Sequence, residues 1–421
     1  MDTSPAFLYN PLPMETPTGS PQKSPGLATM LLIGCGWFGM NAFFSFNLAS
    51  IPLFFNGRIE QKWVVGMILG MMGAFGIILS PVVGMLSDKI RHRLGRRRPL
   101  MIVALPFMVL VLASTQHLTL TWLMALAWPL AYFFHLIIER PWSALIPDLF
   151  PANQRASANG VVQLMGGLGA LLYFLLGAYL WARNEEVTFY LVAALYAVGV
   201  LAIIFGIKER PTHLDQPKKG SGGSLLDYVK ELREHKALLR YIIASLFWNI
   251  GLNGVLPWLT SFGTEEMGMS VELSFMPLAL SVGVLILFAI PAGMLADRIG
   301  HKKVASVGLA IFIVINICIV FVHSIPLVFV LMGIVAFGFC IIMVVPYAIV
   351  VNLIPSERMA ELIGIAWIPI YLSMLVAPVI AGLLVDLFGS YRPIFVLAAV
   401  CHAIGLLLLQ GVEEKKVVSE A

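Results

Sequence analysis

Apolar residues in this chain fall into long unbroken runs separated by short polar turns. The runs cover 28–55, 64–86, 99–115, 119–147, 157–182, 187–206, 237–262, 272–295, 304–322, 326–353, 361–387 and 391–410. A bilayer core about 30 Å thick takes about 20 such residues in a helix. A membrane barrel would instead give strands of about 10 residues with strict alternation, which is not the pattern here. The runs therefore predict an all-α membrane protein with twelve transmembrane helices.

The longest interruption divides the runs six and six. It predicts a disordered cytoplasmic tail over 1–27, a first six-helix bundle over 28–206, and a cytoplasmic linker over 207–236. A second six-helix bundle follows over 237–410, with a cytoplasmic tail over 411–421. The linker contains Lys218-Lys-Gly-Ser-Gly-Gly-Ser224, a flexible composition. It continues into an amphipathic stretch, Leu225 to Glu234, which reads either as a helix lying on the membrane or as a solvated connector.

Composition narrows the class further. The chain is 59% apolar and only 12% charged, against about 45–50% and about 25% in soluble domains. The first 27 residues hold six prolines (Pro5, Pro11, Pro13, Pro17, Pro21 and Pro25) and no apolar core, so they are not a secretion signal. The first apolar run is then expected to serve as the uncleaved anchor. Cys35, Cys318, Cys340 and Cys401 all lie inside apolar runs without metal-type or paired spacing, as small apolar fillers do.

Charge sets an expected orientation. One side of the membrane receives Lys23, the Lys89–Arg98 cluster, Arg155, the Lys208–Arg240 loop, Arg298, Lys302, Lys303, Arg358, Lys415 and Lys416. The other side receives only Arg58, Lys62, Arg183 and Arg392. Positive residues stay inside, so both termini and the linker are expected in the cytoplasm. The lack of long outer loops fits a bacterial inner membrane. This bias accounts for the net charge of +4 without any nucleic-acid partner.

The two halves echo each other. Gly84-Met-Leu-Ser-Asp88-Lys89 ends the second run, and Gly293-Met-Leu-Ala-Asp297-Arg298 ends the eighth, roughly two hundred residues later. Asp148-Leu-Phe-Pro151 with Arg155 follows the fourth run, and Asn352-Leu-Ile-Pro355 with Arg358 follows the tenth. Gly293, Asp297, Arg298, Gly300, Lys302 and Lys303 resemble the loop signature of the major facilitator superfamily. Gly84, Asp88, Arg91, Arg93 and Gly95-Arg96-Arg97-Arg98-Pro99 form a longer first-half version. Its ending, with Pro141-Trp-Ser-Ala-Leu-Ile-Pro-Asp148 and Gly34-Cys-Gly36-Trp37, is similar to the sucrose/proton and glycoside–pentoside–hexuronide cation symporters. The resemblance implies alternating access of two bundles around a central cavity lined by helices one, four, seven and ten. It breaks at Ser143 and Tyr132, where plant-type sucrose symporters carry an arginine and an acid. Those two roles do not transfer.

Small residues let membrane helices approach closely, so Gly84 and Gly293 are expected at tight helix crossings. Asp88, Arg91, Arg93, Gly95, Arg96, Asp148 and Arg155, with Asp297, Arg298, Gly300 and Lys302, are the expected gating set. Charges at the ends of neighbouring helices can latch them in one of two states. Topology anchoring by positive charge is the simpler alternative.

Ionisable groups within a span are costly and mark function. His135, Glu139 and Arg140 on the fourth run are the candidates for proton coupling. A carboxyl group in a dry site can take up a proton there and release it to water. Glu139 and Arg140 are adjacent, about 100° apart around a helix, so they are expected not to point the same way, with Arg140 paired on another helix or running toward the cytoplasmic interface. A structural ion pair of Glu139 with Arg140 or another partner is the alternative to coupling. Asn41, Asn47, Gln163, Trp248, Asn249, Asn253, Tyr347, Trp367 and Tyr371 are the candidate substrate-binding groups. Rings and amides suit a sugar, with its apolar faces and hydroxyls. Interhelical hydrogen bonding is the ordinary use of each such group.

No phosphate loop, metal cluster or catalytic constellation occurs in the sequence. No cofactor and no enzyme activity are expected. The expected partners are a small-molecule substrate such as a sugar, protons or another cation, and the lipid bilayer, with the chain acting as a monomer. The leading reading is a proton-coupled sugar symporter. An exporter of hydrophobic or amphipathic compounds, and a membrane scaffold without transport, are the alternatives.

Overall fold

The computed structural model describes residues 26–209, 236–353 and 366–412. The amphipathic stretch 225–234, both tails and Arg358 lie outside the described residues. Twelve helices are long and apolar enough to cross a membrane. They are α1 (Leu27–Asn56), α2 (Lys62–Lys89), α3 (Arg98–His117), α4 (Thr121–Leu149), α5 (Asn153–Trp181), α6 (Glu185–Gly206), α7 (Lys236–Glu266), α8 (Val271–Ile299), α9 (His301–Phe321), α10 (Ile325–Leu353), α11 (Ile368–Phe388) and α12 (Arg392–Gln410). Each keeps its peptide groups bonded within itself, the condition for a chain segment in lipid. Two are irregular. α5 passes through a π turn at Tyr173–Gly177, and α7 through a 3-10 turn at Leu256–Trp258 and a π turn at Phe262–Glu266. Pro257 lies in the first turn of α7 that departs from α geometry, as its missing N–H requires.

The repeat seen in the sequence is a repeat of packing. In the first six helices α1 packs on α5 and α6, α2 on α4, and α3 on α4 and α6. In the last six, α7 packs on α11 and α12, α8 on α10, and α9 on α10 and α12. The halves meet through α2 with α11 and through α5 with α8, contacts that exchange under the same twofold.

The α2–α11 seam is the closer of the two. A Cβ placed on Gly66, Gly70 or Gly73 would come within 2.3, 2.6 and 2.3 Å of the carbonyl oxygens of Pro378, Leu375 and Tyr371. On Gly76 it would strike the Tyr371 ring, and on Gly382 the Lys62 carbonyl. Only hydrogen fits between two backbones this near. The seam stops there. Gly84 has open space around it, and the nearest atom to a Cβ on Gly293 would be Val344 Cγ1, at 3.8 Å. This corrects the expectation of tight crossings at Gly84 and Gly293. Those glycines lie where α2 and α8 have left the seam, and the close approach belongs to a different row on α2.

The end that holds the short turns after α1, α5, α7 and α11 is closed by polar contacts. All four basic residues expected there have acidic partners: Arg58 with Glu185 (3.1 Å), Lys62 with Glu265 (3.2 Å), Arg183 with Glu272 (3.5 Å) and Arg392 with Glu266 (2.8 Å). Two of these pairs join the halves. Asn56 Nδ2 donates to Ser261 Oγ and Glu265 Oε1, both at 2.9 Å, and lies 3.1 Å from Tyr391 Oη. Burial, and then the Glu265 carboxylate, push the Tyr391 phenol well above its ordinary range, so it donates to Glu265 Oε2 at 2.9 Å. Asp386 at the end of α11 accepts from the Lys62 and Trp63 backbone N–H groups, both at 2.9 Å, and so caps α2.

Gly73→Ala is expected to cost on the order of 1–3 kcal/mol, because two backbones must separate to admit one methyl group. Gly84→Ala, in open space, should leave stability unchanged or slightly raised. Thermal unfolding of the two variants in detergent checks this. Equal midpoints would refute the seam.

Candidate functional site

The seam ends at an ion pair whose carboxyl is buried and whose guanidinium is partly exposed. Glu139 and Arg140 sit on α4, and Glu139 is 9% exposed. Arg140 Nε lies 2.6 Å from Glu139 Oε2, and Arg140 Nη2 donates to Tyr371 Oη on α11 at 2.5 Å. Of the two expectations, charges pointing apart and a structural Glu139–Arg140 pair, the structure has the pair. The Arg140 side chain has enough rotatable bonds to fold back across its own helix. The Nε–H is not aimed at the oxygen, so the pair is Coulombic rather than an aligned hydrogen bond. The same guanidinium reaches Tyr371, whose ring lies on Gly76 of α2. One arginine thus ties α4 to both helices of the seam.

In the same half α1 and α4 supply a stacked pair of rings, and α5 an amide. Trp37 stacks on Trp142, with centroids 4.5 Å apart and planes 10° apart, and its Nε1 donates to Gln163 Oε1 at 2.9 Å. Asn41 Nδ2 donates to the Trp37 carbonyl at 3.0 Å. Trp142 Nε1 is tied to the Ile33 carbonyl at 3.1 Å. In the other half Asn253 Nδ2 donates to Ser373 Oγ at 3.0 Å, and Asn249 Nδ2 to the Ser245 carbonyl at 2.8 Å. Trp37, Trp142 and Ser373 escaped the candidate set. The Gly34-Cys-Gly36-Trp37 and Pro141-Trp142 stretches were the available signal for the tryptophans, and Ser373 had none.

The other candidates make no hydrogen bond to the pair. His135 is buried, with Nδ1 2.9 Å from Tyr196 Oη. Asn47 Oδ1 accepts from Trp128 Nε1 at 3.1 Å and from the Tyr132 hydroxyl, deep in the first half. Trp248 packs edge-on against Tyr241 in the second-half core. Tyr347 and Trp367 are exposed.

The loop charges gather at the open end, but within the first half. Arg97 bridges Asp88 (2.7 Å) and Asp148 (2.8 Å), and Arg96 also reaches Asp148 (2.5 Å). Arg97 is 6% exposed and donates to Ser87 Oγ as well. Glu209, which no motif signalled, accepts the backbone N–H groups of Arg96, Arg97 and Arg98 at 3.0, 3.0 and 2.9 Å. A carboxylate at the start of α3 meets the free N–H groups and the positive end of the helix dipole together. Gly95, at φ +94°, makes the turn that aims these amides. Arg91 donates to the Asp88 carbonyl, Arg155 to the carbonyls of Phe150 and Pro147, and Arg93 is exposed.

The second half is plainer. Asp297 meets His301 at 3.0 Å, Lys302 Nζ donates to the carbonyls of Gln410 and Val412, and Arg298 is exposed. Gly300 turns at φ +102°. Asn352 stands where the first half has Asp148, so no carboxylate is offered for a bridge of the same kind.

The sequence profile described as Major Facilitator Superfamily matches residues 29–288 and 278–420. The chain is 27% identical over 221 residues to the glucose transporter GlcP of Staphylococcus epidermidis, covering 50% of this chain and 47% of that protein. It is 26% identical over 309 residues to the multidrug resistance protein MdtG of Salmonella arizonae, 70% of this chain and 73% of that one. To human solute carrier family 45 member 3 it is 24% identical over 387 residues, 76% and 69%. Against the first of these relatives, the match spans about half the relative's length. Among solved structures, a bacterial homologue of the human lysosomal transporter Spinster, inward-facing and unoccupied, aligns with TM-score 0.72 and 14% identity over 91% of this chain and 96% of that one. The nucleoside transporter NupG aligns with TM-score 0.75 and 12% identity over 92% and 100%. These two show a shared fold.

Glu209→Ala leaves three backbone donors without their acceptor and is expected to lower stability by about 1–3 kcal/mol. Arg93→Ala, at an exposed position, should stay within about 0.5 kcal/mol of the parent. Chemical or thermal unfolding in detergent compares them, and equal loss in both would remove Glu209 from its capping role.

Proposed function

The chain belongs to the major facilitator superfamily, and we propose that it is a secondary transporter of a small sugar or glycoside, coupled to protons at Glu139. The observation that carries this reading is the Glu139–Arg140 pair bound to Tyr371 across the two halves. An ion pair out of water is a weak source of stability, because desolvation offsets attraction. Its use here is as a switch. A proton on Glu139 removes the arginine's counter-charge. The guanidinium is then free to take hydroxyl groups of the solute or to hold Tyr371 more firmly. Release of the proton restores the pair and loosens both contacts. Because Tyr371 rests on Gly76, this choice is passed directly to the α2–α11 seam.

The surrounding groups fit the same class of solute. The stacked Trp37 and Trp142 rings offer an apolar face, and Gln163, Asn41 and Asn253 offer amides. The similarity to a glucose transporter points the same way. The similarity to a multidrug resistance protein, over a larger share of both chains, supports a second reading: export of amphipathic compounds. Competition of sugars against hydrophobic cations for binding separates the two.

In proteoliposomes, adding the transported sugar is expected to acidify the lumen. Glu139→Gln should abolish that acidification while sugar counterflow, which needs no net proton movement, persists. Uptake by the parent chain without any pH change would overturn the coupling.

A further inference from the structure

A second intramembrane ionisable group takes no part in the site above. His402 lies on α12 inside the second six-helix half, and it is 1% exposed. Its ring is held flat. It stacks on Phe312 of α9 with centroids 4.7 Å apart and planes 7° apart. On its other side runs the backbone of α7, so near that a Cβ on Gly251 would lie 2.6 Å from His402 Cε1. Glycine at 251 is therefore a condition for the imidazole to occupy this slot. Neither ring nitrogen has a partner in hydrogen-bonding geometry. The Ala398 carbonyl, one turn back on α12, is the backbone acceptor that acts on the ring. A buried polar group without partners needs an explanation, and two such nitrogens on one ring need it more.

The ring borders a cavity of about 40 Å³ among α7, α8, α9, α10 and α12. Its other polar lining groups are Ser281 and Asn316, and the remaining walls are apolar or aromatic. Size decides what fits. A cavity that binds benzene measures about 150 Å³, whereas one water needs about 10–15 Å³, so this one takes about three waters and no ring-sized ligand. The Ser281 hydroxyl donates to the Pro277 carbonyl, and one Asn316 N–H to the Phe312 carbonyl. Their remaining hydrogen-bonding capacity can serve bridging water. No Asp, Glu, Lys, Arg, Tyr or Cys lines the cavity from any of the five helices. The imidazole is the titratable group there.

We propose that His402 and this cavity form a hydrated, proton-accepting site within the second half, separate from the Glu139–Arg140 pair. Water bridges His402 to Asn316 and Ser281 and carries protons to and from the ring. Neutral imidazole accepts a proton at one nitrogen while the other donates, so the ring can relay as well as store one. Because α7 forms one wall and is irregular at Leu256–Trp258, just beyond the cavity-lining Val255, movement of α7 changes the water count at the ring.

The test is ¹⁵N NMR of the full chain in lipid nanodiscs with ¹⁵N-labelled histidine. The His402 signal is assigned by its loss in His402→Phe, a ring that stacks in the same slot without nitrogens. The expected result is a His402 ring signal that exchanges with solvent and moves as the pH is lowered from about 8 to about 4. A fixed tautomer across that range, with no solvent exchange over hours, overturns the proposal. Should His402→Phe not fold, His402→Gln provides the assignment. In proteoliposomes, His402→Gln should lower the number of protons moved per solute without stopping solute counterflow. An unchanged proton count would also overturn it. A loss confined to Glu139→Gln leaves the proposed coupling at Glu139 standing and removes only this site.

Discussion

Two helix backbones in contact, α2 of one half against α11 of the other, set the terms for the rest of the molecule. Lipid gives membrane helices no hydrophobic reason to associate, so their contacts depend on close packing and on polar groups that find partners. Glycines at 66, 70, 73 and 76, and Gly382 opposite, allow that closeness. The row is about half a helix long. Beyond it Gly84 meets no neighbouring helix, and Arg96 and Arg97 pair with acids of their own half.

This division explains where charge is stored. At the closed end every basic residue has an acidic partner, so that face carries paired charge that fastens the halves together. At the open end of the first half, Arg96 and Arg97 share Asp148, Arg97 also holds Asp88, and Glu209 seats the start of α3. That network ties the ends of α2, α3 and α4 together within the first half. Between the two ends sits Glu139 with Arg140, among the described residues the one close acid–base pair at the depth of the seam. A membrane protein keeps such a pair at a cost in desolvation, and Tyr371 couples it to the seam itself.

The fold was largely legible in the sequence. Hydrophobic run length is a demand of the bilayer on every span separately, so it needs no knowledge of neighbours. The twelve spans, the repeat and the loop signature all follow from short-range patterns. The site was legible only in part. Glu139, Arg140 and Tyr371 stood out by chemistry, and a Glu139–Arg140 pair was one of two readings, but the bond to Tyr371 was not legible, because the reach of an arginine across its own helix is a matter of side-chain conformation. The glycine rows of α2 were present in the sequence, yet Gly84 attracted attention through its motif. Which glycine faces another backbone is decided by helix rotation, which no local pattern encodes. Glu209 lies far in sequence from the amides it caps, and the acids of the closed end drew no notice because positive charge alone was being counted.

The cap on α2 has a consequence of its own. Asp386 belongs to α11, yet it completes the first turn of α2. A helix that borrows its opening residue from a neighbour has two lengths, one while the neighbour is present and a shorter one after it leaves. If the closed end parts, the amides of Lys62 and Trp63 must be taken up by water, or the first turn of α2 must unwind. Parting of this end would therefore cost α2 part of its own first turn, so separating the halves and fraying a helix would be one event.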